Sequence, residues 1–415
     1  STECLPATRK NYVISQETRN MKNQNDAWTK RFDFFALAGW LGLGLGLAAI
    51  SFLRYGMDFR GYYAAARVLV SGGNPYDYHQ VAPVLLRITG EMGNNPYYYP
   101  PWFTWIFIPL IVLPFQLARM VWMAFNVGIW NLSLWKLGKI LQWPPEGWRR
   151  YFLYVLATFL FARITWKYEQ AGILVFSLLI AIIVAAESKQ WIWFGCWMAL
   201  LLIKPNITLI VVTGLSLWLI RKHQWQPILV MMLSLGILLA ISTWITPDWY
   251  KPFFDEGFGR GLTAVLDGPD KVIALRISTT FIDWLKTLGV ARQWLAPMYA
   301  MAVITGSIVF FIAIWYSRSF LQVLSISLLV SFALTPYAMQ YDNPSLVIVV
   351  FWALSICSSS RKGIQVGALL AAFIFSVIFW QKNISWGYWI VLGSIVLAIW
   401  AVLLVPRETL QDTVP

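Results

Sequence analysis

The stretch GMDFRGYYAAARVLVSGGNPYDYH, Gly56–His79, sets an acid, Asp58, where the chain leaves its first long apolar run. A carboxylate at such an edge has two uses. It can cap a helix by accepting from the first orphan N–H groups, worth about 1 kcal/mol. It can also serve as a general base that takes a proton from an attacking hydroxyl at a dry interface. The sequence leaves both open, and one aspartate can do both. Arg60 and Arg67 follow on a shared helical face. Lys204 stands alone in an apolar run just before Pro205. A cation there is costly and usually functional, unless its stem snorkels to the interface. Arg163, Lys167 and Arg276 raise the same question more weakly. Gln170 reads as an interhelical hydrogen-bonding group or a ligand contact, and Asp342 as a helix cap or a ligand contact. Asp77, after Pro-Tyr, reads as a turn cap.

These residues need a scaffold, and the composition indicates which. The chain is 59% hydrophobic and only 12% charged over 415 residues. Repeated apolar runs of near-spanning length predict an all-α polytopic membrane protein with about 12 transmembrane helices. The run 102–138 is too long for one span, and Pro109 and Pro114 break it into an interfacial piece plus a helix, or into two spans. Lys and Arg clusters at 9–31, 136–150, 221–222 and 361–362 read as cytoplasmic. Residues 54–101, 163–170, 247–295, 336–343 and 381–386 then fall on the outer side, together with Lys204. Residues 1–32 form a cytoplasmic arm, 33–405 the membrane domain, and 406–415 a tail; no apolar signal segment is visible in the arm. The formal charge of +13 is a topology signal, because no soluble basic domain exists to bind nucleic acid. Two histidines and three scattered cysteines argue against a histidine-ligated metal, a zinc site or a disulfide framework.

Residues 58–70 predict a helix lying in the membrane plane, with Phe59, Tyr62, Tyr63, Ala66 and Val70 on its apolar face. SGGNPYD is a turn, a second helix covers about 78–90, and Tyr97, Tyr98 and Tyr99 anchor the interface. A patterned loop this long is functional more often than it is a connector. In GWLGLGLGL, Gly42 and Gly46 predict a close helix-packing face, not a dinucleotide fingerprint.

DFRGYYAAARVLVSGGNPYD followed by YYYPPWFTWIFIPLIVLP resembles the GT-C glycosyltransferases of family 87, which include polyprenyl-phosphomannose-dependent mannosyltransferases. YEQAGILVF is similar to the family's Gly-Gln-x-Asn segment, with Glu169 and Gly172 replacing the Gly and the Asn. LLIKPNITLIVVTGLSLWLIRKHQWQ is similar to its Lys-Pro helix, and LTPYAMQYDNPSLVIV to its Pro-x-x-x-x-Tyr/His-Asp/His segment, here Tyr341-Asp342. The resemblance covers about residues 33–355. It implies the GT-C fold, with in-plane helices in the first extracytoplasmic loop. It also implies inverting transfer of a mannose-like or other sugar from a polyprenyl-phosphate donor to a glycolipid or glycan acceptor, outside the plasma membrane. The family's catalytic Asp maps onto Asp58. Arg60, Arg67, Lys204, Arg163 and Lys167 become candidates for the donor phosphate, and Gln170, Tyr341, Asp342 and Tyr99 for sugar or acceptor contact.

No cofactor is expected beyond the lipid-linked sugar. A metal is not expected either, because Asp58 is followed by Phe59 and Arg60 where a metal-binding pair would carry a second acid. Two rival readings are a non-catalytic membrane subunit derived from this fold and a lipid-linked-sugar transporter. The transporter reading lacks paired, broken helices in matching halves.

Overall fold

Apolar runs become helices at nearly every place their length predicts. The computed structural model describes residues 31–53, 58–90, 97–144, 147–255, 278–358 and 386–404. The expected N-terminal arm up to residue 30, residues 256–277 of the 247–295 loop with Arg276, and the C-terminal tail lie outside these. Among the described residues the structure is helical, with an isolated antiparallel bridge between Ser278 and Met339.

The first helix, α1, covers Arg31–Leu53. Then come α2 (Phe59–Val70), α3 (Tyr78–Thr89), α4 (Pro101–Trp105), a 3-10 turn (Ile108–Val112) and α5 (Phe115–Ile140). The prolines break the 102–138 run as the sequence predicts: Pro109 opens the 3-10 turn and Pro114 sits just ahead of α5. Next, α6 (Trp148–Ala157) runs through a π turn (Thr158–Ala162) into α7 (Arg163–Tyr168). Then follow α8 (Gly172–Glu187), α9 (Trp191–Leu201), α10 (Pro205–Arg221) and α11 (Trp225–Ile245). The chain closes with α12 (Phe281–Thr287), α13 (Arg292–Tyr316), α14 (Phe320–Leu334), a 3-10 segment (Gln340–Ser345), α15 (Leu346–Ser358) and α16 (Trp386–Leu404).

Among the described residues three helices, α1, α11 and α13, are long and apolar enough to cross a membrane. Others fall short of the roughly 30 Å of hydrocarbon: α9, with 11 residues, extends about 16 Å. The expected count of about 12 spans therefore depends on short and broken helices, and on the run 364–380, which lies outside the described residues.

Short turns make successive helices antiparallel neighbours, as where α8 packs on α9 and α13 on α14, and α9 also packs on α11 and α10 on α14. The turns 168–172 and 202–205 and the segment 335–345 consequently come to one end, beside α2. The turns 188–190, 222–224 and 317–319 come to the other. There Arg221 donates to the carbonyls of Ile314, Trp315 and Ser317 and fastens the end of α13.

Two expectations need correction. The glycines of α1 that were predicted to pack, Gly42 and Gly46, are exposed, and nothing stands within 4 Å of either. The packed stripe is Trp40, Gly44 and Ala48; the Gly44 position faces Trp166, Asn131 and Val127. Trp40 and Trp130 both donate to the hydroxyl of Thr158, which ties α1 and α5 to the π turn. Second, burial of α2 is not confined to the face of Phe59, Tyr62, Tyr63, Ala66 and Val70. The helix is buried on most sides because α3, α4, α5 and the 108–112 turn all pack on it, whereas Val70 is 57% exposed. Phe59, fully buried among Phe107, Phe115 and Trp122, locks its start; truncation to Ala would cost about 3–5 kcal/mol.

Candidate active site

The chemistry-bearing residues meet at the end of the bundle where helices stop. Asp58 occupies the cap position of α2, and its N–H donates to the Tyr168 carbonyl at 3.3 Å. Its side chain makes no capping hydrogen bond. The carboxylate instead accepts from the amide Nε2 of Gln170, across a separation of 112 residues. Of the two uses open to Asp58, the cap is the one its side chain leaves unfilled.

Gln170 is the hub. Its Oε1 accepts from the Tyr99 hydroxyl at 2.6 Å, the Tyr62 hydroxyl at 2.9 Å and Lys204 Nζ at 3.4 Å. The partners dictate the amide's orientation: an acid takes the NH₂ end, and phenols and an ammonium take the carbonyl end. Tyr62 and Tyr99 also lie 3.0 Å apart through their hydroxyls. The two phenol protons thus serve three contacts. Burial pushes both phenols well above their ordinary pKa, and does the same to Tyr341; Tyr337 rises to about 12. They stay protonated at neutral pH and act as donors.

Lys204 precedes Pro205, which occupies the first turn of α10, where a missing N–H costs nothing. Lys204 is 5% exposed and stands 2.5 Å from Asp342 Oδ1. The pair is close but not aligned as a hydrogen bond, since Oδ1 has no hydrogen-bonding partner. The ammonium lies over the ring of Tyr341 at 4.8 Å and that of Tyr99 at 5.8 Å. Asp342 Oδ2 accepts from the Met339 N–H at 3.0 Å and caps the 3-10 segment. Asp342 is therefore a cap and a site residue at once. Tyr341 is fixed by its carbonyl, which accepts from Thr165 at 2.8 Å, and by its hydroxyl, 3.1 Å from that of Tyr337.

A second ion pair, which the sequence did not bring out, supports the hub from behind. Glu169 adopts the left-handed backbone (φ 57), the conformation that favours the glycine of the resembled pattern. Its side chain turns inward to Arg119 Nε at 2.5 Å, and its carbonyl accepts from Trp122 at 3.0 Å. Burial raises the Glu169 carboxyl to about 7 against the lowering pull of Arg119. The other departure, Gly172, is a steric requirement, because an added Cβ would stand 1.9 Å from the Tyr341 carbonyl oxygen.

The structure thus brings together Asp58, Gln170, Tyr99, Lys204, Tyr341 and Asp342. It does not bring Arg67 to them. Arg67 donates to the Tyr63 hydroxyl at 2.9 Å and the Ile111 carbonyl at 3.0 Å. Nine residues of helix put it about 180° around α2 from Asp58, and Arg60 shares its stripe. Arg163 lies over the ring of Phe159 and Lys167 over that of Tyr168. Asp77 caps α3 through the His79 N–H at 2.9 Å, as the turn reading predicts. Sequence reasoning missed Tyr62, which it took only as part of an apolar face. It also missed Arg119, although a charge inside the 102–138 run was the same signal that singled out Lys204.

The broken helices at this end of the bundle thus gather an acid, protonated tyrosines and a buried cation. Residues 97–339 match glycosyltransferase family 87. That is more than half of the sequence, and the chain belongs to this family. The match begins beyond Asp58. No curated protein and no solved structure matches the chain.

Proposed function

We propose that this glycosyltransferase moves a sugar from a polyprenyl-phosphate donor to an acceptor hydroxyl with inversion, and that Asp58 is the general base. The observation that carries the reading is the Asp58–Gln170 contact. A helix-start carboxylate is turned away from its cap and held beside buried donors and a lysine.

In the reaction, the acceptor oxygen attacks the anomeric carbon as its proton passes to Asp58. The bond from that carbon to the phosphate oxygen breaks, and the polyprenyl phosphate leaves with one more negative charge. Lys204 is the nearby cation for that charge. Gln170, Tyr62, Tyr99 and Tyr341 supply polar and ring contacts for the sugar. Arg163 and Lys167 remain secondary candidates for the phosphate. Asp342, paired with Lys204, sets the position of the ammonium.

The site end of the bundle lies opposite Lys136, Lys139, Arg149, Arg150, Arg221 and Lys222. Those basic residues support an outer, extracytoplasmic site in a multi-pass plasma-membrane protein, with a cytoplasmic N-terminus. Metal independence is part of the proposal, supported by the two site acids being engaged by an amide and an ammonium. Transfer should survive a chelator.

The test is Asp58→Asn, assayed with purified protein and polyprenyl-phosphate sugars. Transfer should fall about 100-fold or more while thermal unfolding is unchanged. Wild-type transfer retained in that variant removes Asp58 from the mechanism. A wild type that forms no glycosidic bond from any such donor favours the non-catalytic subunit.

A further inference from the structure

Behind α2, on the side away from Asp58, a cleft of about 450 Å³ opens between α2, α3 and the start of α5. The geometry points to this cleft as a second anion site, one that holds the phosphate head of a membrane lipid other than the sugar donor. Arg67 and Arg87 both line it, and among the described residues no carboxylate does. Guanidinium forks match phosphate oxygens in pairs, and two of them with no acid between favour a doubly contacted anion. Arg60 lies on the Arg67 stripe of α2, and its buried Nε has no hydrogen-bonding partner. It adds a third positive charge to this face.

The cleft is built, not a gap between loose loops. Gln80 Oε1 accepts from the Asn74 N–H at 2.9 Å, and its Nε2 donates to Asp77 Oδ2 at 2.9 Å. That closure needs a glycine at position 73, where a Cβ would stand 2.4 Å from Gln80 Oε1. Asp77, the acid of this turn, is thus committed to the start of α3. Arg67 is oriented by Tyr63 and Ile111.

Two features select a lipid over free phosphate. Val84, Ile88 and Phe115 form apolar walls beside the arginines. The elements around the cleft also present exposed apolar side chains: Leu86 at 45%, Val112 at 80% and Leu117 at 45%. Charged heads beside exposed aliphatic surface fit a molecule with a phosphate at one end and hydrocarbon at the other.

The cleft does not serve the reacting donor. Asp58 and Arg67 are on opposite sides of a helix about 10 Å across and about 13 Å apart along its axis. The phosphate of a donor whose anomeric carbon is at Asp58 must lie within one bond of the reacting centre. This inference therefore holds or fails independently of the proposed transfer reaction.

The experiment uses the full chain in detergent, titrated with dioleoyl phosphatidic acid or dioleoyl phosphatidylcholine and read by native mass spectrometry. Wild type should retain phosphatidic acid in preference to phosphatidylcholine. Arg87→Glu, a change at an exposed position, should weaken that retention by about tenfold or more. Arg67→Gln should weaken it similarly, and Asp58→Asn should leave it intact. Inorganic phosphate in tenfold excess should not displace the lipid. Equal retention of the two lipids, wild-type retention in Arg87→Glu, or displacement by inorganic phosphate would each overturn the assignment.

Discussion

Gln170 is flanked by two buried ion pairs that share a distance and differ in almost everything else. Arg119–Glu169 and Lys204–Asp342 both close at 2.5 Å, with every side chain under 10% exposed. The first is aligned as a hydrogen bond, Nε to Oε1. Its arginine also reaches the Ser51 carbonyl at 3.4 Å and lies over the ring of Phe52 at 4.5 Å. It joins α1, α5 and the turn before α8, and its directional bonds are committed. The second is not aligned, and its ammonium lies between two aromatic rings and an amide oxygen. The difference teaches that proximity does not define a pair's role. A pair with committed geometry fastens a backbone, whereas an ammonium with spare donors can turn toward incoming charge.

That contrast can be broken by mutation. Lys204→Met should lower sugar transfer about 100-fold or more, since the cation proposed to face the leaving group is gone. Replacing the other pair whole, Arg119→Met with Glu169→Gly, should hold transfer within about tenfold of wild type, because a buried pair removed together is often neutral. Equal losses in the two variants would erase the distinction. Arg119→Met alone leaves Glu169 buried and unpaired, and should destabilise by about 3–5 kcal/mol in tryptophan-monitored unfolding. Gly172→Ala forces α8 from the Tyr341 carbonyl and should destabilise by about 1–3 kcal/mol, visible in the same assay.

The smallest effect is a pH dependence. Burial raises Glu169 from 4.5 to about 7, so the folded state holds that proton more tightly than the unfolded state. This contribution to stability is greatest at acid pH and falls as pH rises from the ordinary glutamate range through about 7. Glu169→Gln should flatten that fall in melting temperatures recorded across the interval.

The fold class was legible because apolar runs and turns are strong local signals. Lys204, Gln170 and Asp342 were legible because polar groups at the edges of apolar runs are conspicuous. What could not be read was angle. Arg60 and Arg67 are near Asp58 in sequence, yet a helix carries them to its far side. The packed face of α1 lies on Gly44 instead of Gly42 and Gly46 for the same reason: which side of a helix meets neighbours depends on elements distant in the chain. The burial of α2 on nearly all sides is a tertiary effect of α3, α4, α5 and the 108–112 turn that periodicity within α2 cannot carry. Glu169 and Gly172 read as departures from a family pattern. The structure turns one into half of an ion pair and the other into a clearance.

That clearance has a consequence for shape. The Tyr341 carbonyl occupies the volume where any side chain at position 172 would begin. In this chain the wall beside Gly172 is main chain. Its position is set by how closely two backbones approach, and no single side-chain exchange on α8 can trim it back.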